Sequence, residues 1–143
     1  MTTSYEIIHA TTMSVAGKGV LILGPSGSGK SSLALQLISL GAALVADDRT
    51  HVERTGQTVM ASVPASIAGM IEARGVGILK LEPAGPTMLK LVVDLSRTEH
   101  QRLPEPHKYD LLGVTLPCLH NAPSPHFPAA LLLYLGKGIS SDA

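Results

Sequence analysis

The residues with the clearest chemical purpose are Gly24-Pro25-Ser26-Gly27-Ser28-Gly29-Lys30-Ser31, which fit G-x-x-x-x-G-K-[ST] in full. With glycine at ~7% and similar frequencies for the other fixed types, a chance match in a chain of this length is on the order of half a percent. The chemistry accounts for each residue type. Glycines let the backbone turn tightly, so that successive N–H groups point inward at phosphate oxygens. A helix beginning near Lys30 adds the positive end of its dipole. Lys30 itself brings a full charge to the β- and γ-phosphates, and the Ser31 hydroxyl can ligate Mg²⁺.

Two further groups are candidates. Asp47-Asp48 follow an apolar run, where acids at strand ends face the site of an open α/β sheet. One of the pair can hold Mg²⁺ and the other can take a proton from a nucleophile. Glu72 and Arg74 are the only charges between Val63 and Leu79. A carboxylate there can complete a metal site and a guanidinium can neutralise phosphate. Taken alone, the two also read as a structural ion pair on a loop. His9 by itself reads as a structural histidine on a strand. His51, His100, His107, His120 and His126 show no metal-like spacing, and Cys118 sits in apolar surroundings.

Positioning the glycine loop requires a strand before it and a helix after it. Val20–Leu23 is a short apolar run of β-formers, and Ser32–Leu40 carries Leu33, Leu37 and Leu40 on one stripe with Gly41 at its end. Tyr5–His9, Thr12–Val15, Ala42–Ala46, Val76–Leu81 and Met88–Leu95 read as further strands. Gly56-Gln57 reads as a hairpin turn between Thr50–Glu53 and Thr58–Val63. Pro64–Gly75 reads as a loop with a short helical turn, Arg97–Tyr109 as polar and mobile, and Pro128 as the start of a last helix over Ala129–Leu135. Strand, helix and strand around one glycine loop predict an α/β class with a mainly parallel core.

Composition narrows the rest. The chain has 143 residues, which predicts one domain over 1–143. Eleven basic and eleven acidic residues cancel, so no basic field exists to attract nucleic acid. The 15% charged share leaves a surface expected to be partly covered by a partner or another subunit. One cysteine forms no internal disulfide. The first residues lack the basic start and apolar run of a signal peptide. The charge-free stretch Leu111–Gly136 holds four prolines, so no membrane helix is expected and the expected location is cytoplasmic.

The segments Gly19–Ser31, Leu44-Val-Ala-Asp-Asp48 and Gly69-Met-Ile-Glu-Ala-Arg-Gly-Val-Gly77 together resemble the catalytic domain of bacterial HPr kinase/phosphorylase, over about His9 to Leu135. The resemblance implies a P-loop core sheet related to phosphoenolpyruvate carboxykinase. It implies transfer of the ATP γ-phosphoryl group to a serine of the phosphocarrier HPr, and removal of that phosphate by inorganic phosphate with release of pyrophosphate. ATP and Mg²⁺ are the implied cofactors, HPr the implied partner, and a homo-oligomer the expected assembly.

Carried over by residue, Gly24, Pro25, Ser26, Gly27, Ser28, Gly29, Lys30, Ser31 and Ser32 match the nucleotide loop and its continuation. Asp47 matches the catalytic aspartate, a base in the kinase direction and an acid in reverse. Asp48 and Glu72 match acids near Mg²⁺, beside Ser31. Arg74 matches the signature arginine, which also meets the nucleotide. His9 and Lys30 match catalytic positions, and Arg102 in Gln101-Arg102-Leu103 matches an arginine of a mobile loop. The family's larger N-terminal domain has no counterpart here, so the chain resembles truncated members. Where the family often has Pro-Gly-Arg-Asn, this chain reads Pro125-His126-Phe127-Pro128, and most of the family's C-terminal helices have no match. That departure motivates an alternative function, a nucleotide-binding regulatory module with little turnover. A small-molecule kinase is the third reading, and the lack of an acceptor-binding lid counts against it.

Overall fold

The computed structural model describes residues 4–137. Its framework is one mixed sheet with strands in the order β1-β5-β6-β9-β3-β2-β4. The strands are β1 (Tyr5–Ile8), β2 (Thr11–Val15), β3 (Lys18–Leu23), β4 (Ala43–Ala46), β5 (Thr50–Thr55), β6 (Thr58–Ser62) and β9 (Thr87–Thr98). A hairpin of β10 (His107–Leu111) and β11 (Val114–Asn121) joins along β9. A separate two-stranded ribbon, β7 (Met70–Ala73) with β8 (Gly77–Lys80), stands apart from the sheet. Among the described residues, the α-helices are α1 (Lys30–Ser39) and α2 (Phe127–Lys137).

The α/β class stands, but the expected mainly parallel core does not. Among the described residues, only β3 with β9 and β9 with β11 run parallel. The remaining pairs are antiparallel, because most connections here are too short for a crossover. Two hairpins close through two residues at positive φ, Ala16-Gly17 (51° and 81°) and Leu112-Gly113 (52° and 82°). These are turns whose twist matches the flanking strands.

The long strand β9 organises the sheet. One edge pairs with β3. The other meets β6 near Thr87 and Met88, then β11 from Val92 onward. Alternate residues of β3 feed two cores, as do those of β9 beyond a register shift between Leu89 and Leu91. Val20, Ile22, Leu91 and Val93 pack with Leu33, Leu37, Phe127, Leu131 and Leu135 of the helices. Leu21, Leu89 and Val92 pack with Val52, Val59, Leu116 and Cys118 of the hairpins. α2 therefore folds back onto its own domain, beginning one residue before Pro128, and the Lys18 ammonium donates to the Leu135 carbonyl at 2.7 Å.

Two further expectations change. Pro64–Gly75 contains the expected short turn, Ala65–Ile67, but also β7, whose Ile71 is buried against α1. The polar segment after Arg97 is bounded by strand at both ends, since β9 runs to Thr98 and β10 starts at His107.

Candidate active site

β3 and β4 run in the same direction, with β2 antiparallel between them, so their C-terminal ends lie on one edge of the sheet. β3 ends at Leu23 and the glycine loop begins; β4 ends at Ala46 and Asp47-Asp48 follow. Position Gly24, at φ +152°, has no room for a side chain, since a Cβ would overlap the Ser28 hydroxyl. Gly29 caps α1 in a left-handed conformation, and the Leu33 N–H closes the first helical bond on its carbonyl at 2.9 Å. The helix's first N–H groups lack intrahelical acceptors and are available to an anion.

Lys30 is buried, and its ammonium is turned back on the loop. It donates to the carbonyls of Gly24 (2.7 Å) and Pro25 (3.2 Å). That position places a cation within the curl of the loop.

The two aspartates have different surroundings. Asp47 is 8% exposed. Its Oδ1 accepts from the hydroxyls of Ser31 (2.7 Å) and Thr11 (3.0 Å), and its Oδ2 accepts from the Glu72 backbone N–H (3.2 Å). Three donors and no acceptor is the environment that an ionised carboxylate satisfies. Asp47 thereby ties α1, β2 and β7 together at one point. The Asp48 side chain is 63% exposed, on a backbone at φ +72°, and its Oδ1 lies 2.6 Å from His9 Nε2. Aspartate tolerates this left-handed geometry better than most residues.

These groups surround a cavity of about 550 Å³ lined by His9, Ser26, Gly27, Gly29, Lys30, Ser31, Ser32, Asp48, Glu72 and Arg74, with Leu35, Ala73 and Val76 as its apolar wall. The ribbon β7–β8 supplies Glu72, Ala73, Arg74 and Val76, and it is docked by the bond from Glu72 N to Asp47. Of the residues expected at the site, Asp47 lies behind this wall rather than on it. Gly24 and Pro25 meet the cavity only through their carbonyls' hold on Lys30. Ser28 faces a smaller cleft of about 190 Å³, beside Asn121–Ser124 and Phe127. Its hydroxyl is buried without a hydrogen-bond partner among the described residues. Arg102 is exposed on the segment between β9 and β10 and lines neither space.

Thr11 was not among the expected residues. A threonine at the start of a strand carries no pattern of its own; only the pairing of Thr12 with Ala46 brings it beside Asp47. The Ser31 hydroxyl, the Asp47 carboxylate it donates to and the Glu72 side chain on the same cavity offer hard oxygens, the chemistry that suits Mg²⁺. The loop amides, Lys30 and Arg74 suit a polyphosphate.

Strand, glycine loop and helix, with an acid pair at the end of the next strand running the same way, define an α/β domain that gathers these groups at one edge of its sheet. A family model described as the HPr Serine kinase C-terminal domain matches residues 1–119. The HPr kinase/phosphorylase of Acidovorax sp. (strain JS42) is 41% identical over 121 residues, covering 75% of this chain and 38% of that protein. That of Brevibacillus brevis is 39% identical over 110 residues, covering 75% of this chain and 35% of its own length. The chain thus spans under two-fifths of the curated relatives it matches. The structure of the Hpr(Ser) kinase/phosphatase from Coxiella burnetii superposes with a TM-score of 0.77 at 22% identity, over 92% of this chain and 94% of that one, and shares its fold. The chain belongs to the HPr Serine kinase C-terminal domain family. Among the described residues, no helix is long and apolar enough to cross a membrane.

Proposed function

We propose that residues 1–143 act as a single P-loop kinase domain, with the carboxykinase-like nucleotide fold, that transfers the ATP γ-phosphoryl group to a serine of HPr. The observation that carries this reading is the convergence of Lys30, Ser31, Asp48, Glu72 and Arg74 on one cavity of about 550 Å³. The family's name supplies the acceptor.

The roles follow from position. The polyphosphate lies along the loop amides and the N-terminus of α1. Lys30 exchanges the carbonyls of Gly24 and Pro25 for phosphate oxygens, so the loop itself stores the cation until the anion arrives. Arg74 offsets phosphate charge from the opposite wall. Ser31 and Glu72, which line the cavity, would hold Mg²⁺, with Asp47 positioning the Ser31 hydroxyl from behind; when bound, the ion supplies a hard cation to the phosphate oxygens.

Asp48 is the base in this proposal, which exchanges the two roles that the resemblance implies. A base must reach the acceptor hydroxyl, and Asp48 lines the cavity whereas Asp47 has its oxygens occupied by three donors. His9 orients the Asp48 carboxylate. The serine oxygen loses its proton to Asp48 and attacks the γ-phosphorus; the bond from that phosphorus to the bridging oxygen breaks, and ADP leaves. In reverse, inorganic phosphate attacks the phosphoserine phosphorus, Asp48 returns the proton to the serine oxygen, and pyrophosphate departs.

The test compares Asp48→Asn with wild type for ATP affinity and for label transfer from γ-labelled ATP to HPr. Retained affinity with transfer reduced at least a hundredfold supports the assignment; wild-type transfer by Asp48→Asn overturns it. Nucleotide binding with no transfer by the wild-type chain would turn the reading toward a regulatory module.

A further inference from the structure

Away from the cavity, the fold assembles a second set of ligand-type side chains that no spacing in the sequence announces. Glu99 follows β9, His107 opens β10, and His120 lies near the end of β11. Strand register brings them together. His107 pairs with Cys118 across the β10–β11 hairpin, so His120, two residues on, stands on the same face. The Glu99 N–H donates to the Asn121 carbonyl at 2.8 Å, which ties the end of β9 to the end of β11.

The cluster is already organised. Glu99 Oε2 accepts the backbone N–H groups of His100 and Gln101, both at 3.1 Å. Glu99 Oε1 lies 2.9 Å from His107 Nε2. The two imidazoles stack with centroids 3.8 Å apart and planes 11° from parallel. One ligand atom from each of the three residues lies within 4.8 Å of the others. We propose that Glu99, His107 and His120 form a binding site for a divalent transition-metal ion of the Zn²⁺ class.

Two imidazoles and one carboxylate are a three-ligand set that leaves a position for water. Zn–N bonds of ~2.0–2.1 Å set tetrahedral ligand atoms about 3.3 Å apart. The Glu99–His107 pair, at 2.9 Å, is already that close. The His120 ring must turn out of the stack, since parallel rings present their lone pairs side by side. The backbone N–H groups on Glu99 hold the carboxylate in the way that outer-shell partners orient metal ligands. Imidazole nitrogens select against Mg²⁺, so the site is chemically distinct from the all-oxygen set around Ser31. Its place gives it a consequence. Glu99 and His107 are the two ends of the segment that carries Arg102, so a bound ion clasps that segment at its neck.

The experiment is calorimetric titration of the whole chain with ZnCl₂ in saturating Mg²⁺, with Co²⁺ absorption as the ligand-field probe. The expected result is about one ion per chain. Glu99→Gln and His120→Gln should each weaken binding about a hundredfold, since loss of an outer-shell partner alone costs about 10–100-fold. Lys30→Ala should leave it unchanged. Should either substitution disturb folding, paramagnetic broadening by Co²⁺ on the wild-type chain decides. The ring protons of His107 and His120 should broaden before those of His9, His51 and His126. Affinity weaker than about 100 µM, affinity unmoved by both substitutions, or broadening centred on His9 would each overturn the proposal.

Discussion

Asp47→Asn and Asp48→Asn are the same chemical change one residue apart, and the structure predicts unequal consequences for stability. At Asp47 the amide oxygen can keep the Ser31 and Thr11 hydroxyls, but the amide nitrogen then faces the Glu72 N–H, donor against donor, in a site that is 8% exposed. A hydrogen bond to a charged group is worth about 1.5–3 kcal/mol, and a buried donor left unsatisfied costs about 1–3 kcal/mol. Relief from holding a charge out of water offsets part of this, so a net loss of about 2 kcal/mol is expected. For a chain of this size that lowers Tm by roughly 5–8 °C. Asp48 is 63% exposed and its contact to His9 is a surface pair, worth about 0–1 kcal/mol at most. Asp48→Asn should therefore unfold within about 3 °C of wild type. Thermal and urea unfolding of both variants, followed by circular dichroism, makes the comparison. A wild-type Tm for Asp47→Asn, or an equal loss in both, would refute the reasoning that one carboxylate is structural and the other free for chemistry.

Four other outcomes follow. Lys30→Ala should weaken ATP binding by about 10-fold to 100-fold, the worth of a charge-assisted hydrogen bond, as read by calorimetry. Gly24→Ala should cost about 1–3 kcal/mol in urea unfolding, because a Cβ there meets the Ser28 hydroxyl on a backbone disfavouring side chains. Burial raises the pKa of Cys118, with the Asp94 charge adding to it. Its thiol should react with Ellman's reagent at pH 8 at least about tenfold more slowly than free cysteine, and at the full rate in urea. Arg102→Ala should lower HPr turnover more than ATP affinity; equal loss in both would count against a role for that segment in transfer.

The loop, the helix after it and the strand before it were legible because each has a local cause: apolar runs of the right length, glycines at fixed offsets, a leucine stripe. The acid pair was legible as a pair. Its division of labour was not, because it depends on Thr11 and on the Glu72 backbone, which reach Asp47 only through strand register. The direction of the sheet departs from the expected parallel core for a similar reason. A strand–helix–strand pattern around the loop is real, but β2 and the hairpins set the majority direction. β10 and β11 escaped because the turn between them puts Leu112 at φ +52°, where asparagine or glycine would have signalled a hairpin. Pro117 within β11 argues against a strand from sequence, although Val114, Leu116 and Cys118 alternate on the buried face. β7 was hidden by its shortness, and its burial against α1 is a tertiary fact. The Glu99–His107–His120 cluster lay beyond reach of spacing altogether, since three strand ends build it.

The measurement that bears most directly on the phosphoryl-transfer account is the intact mass of HPr from the same cell after incubation with this chain, ATP and Mg²⁺. The account predicts a gain of one phosphoryl group, located on a serine, present with Asp47→Asn at reduced rate and absent with Asp48→Asn. An unchanged mass under conditions where ATP binding is measurable would contradict it.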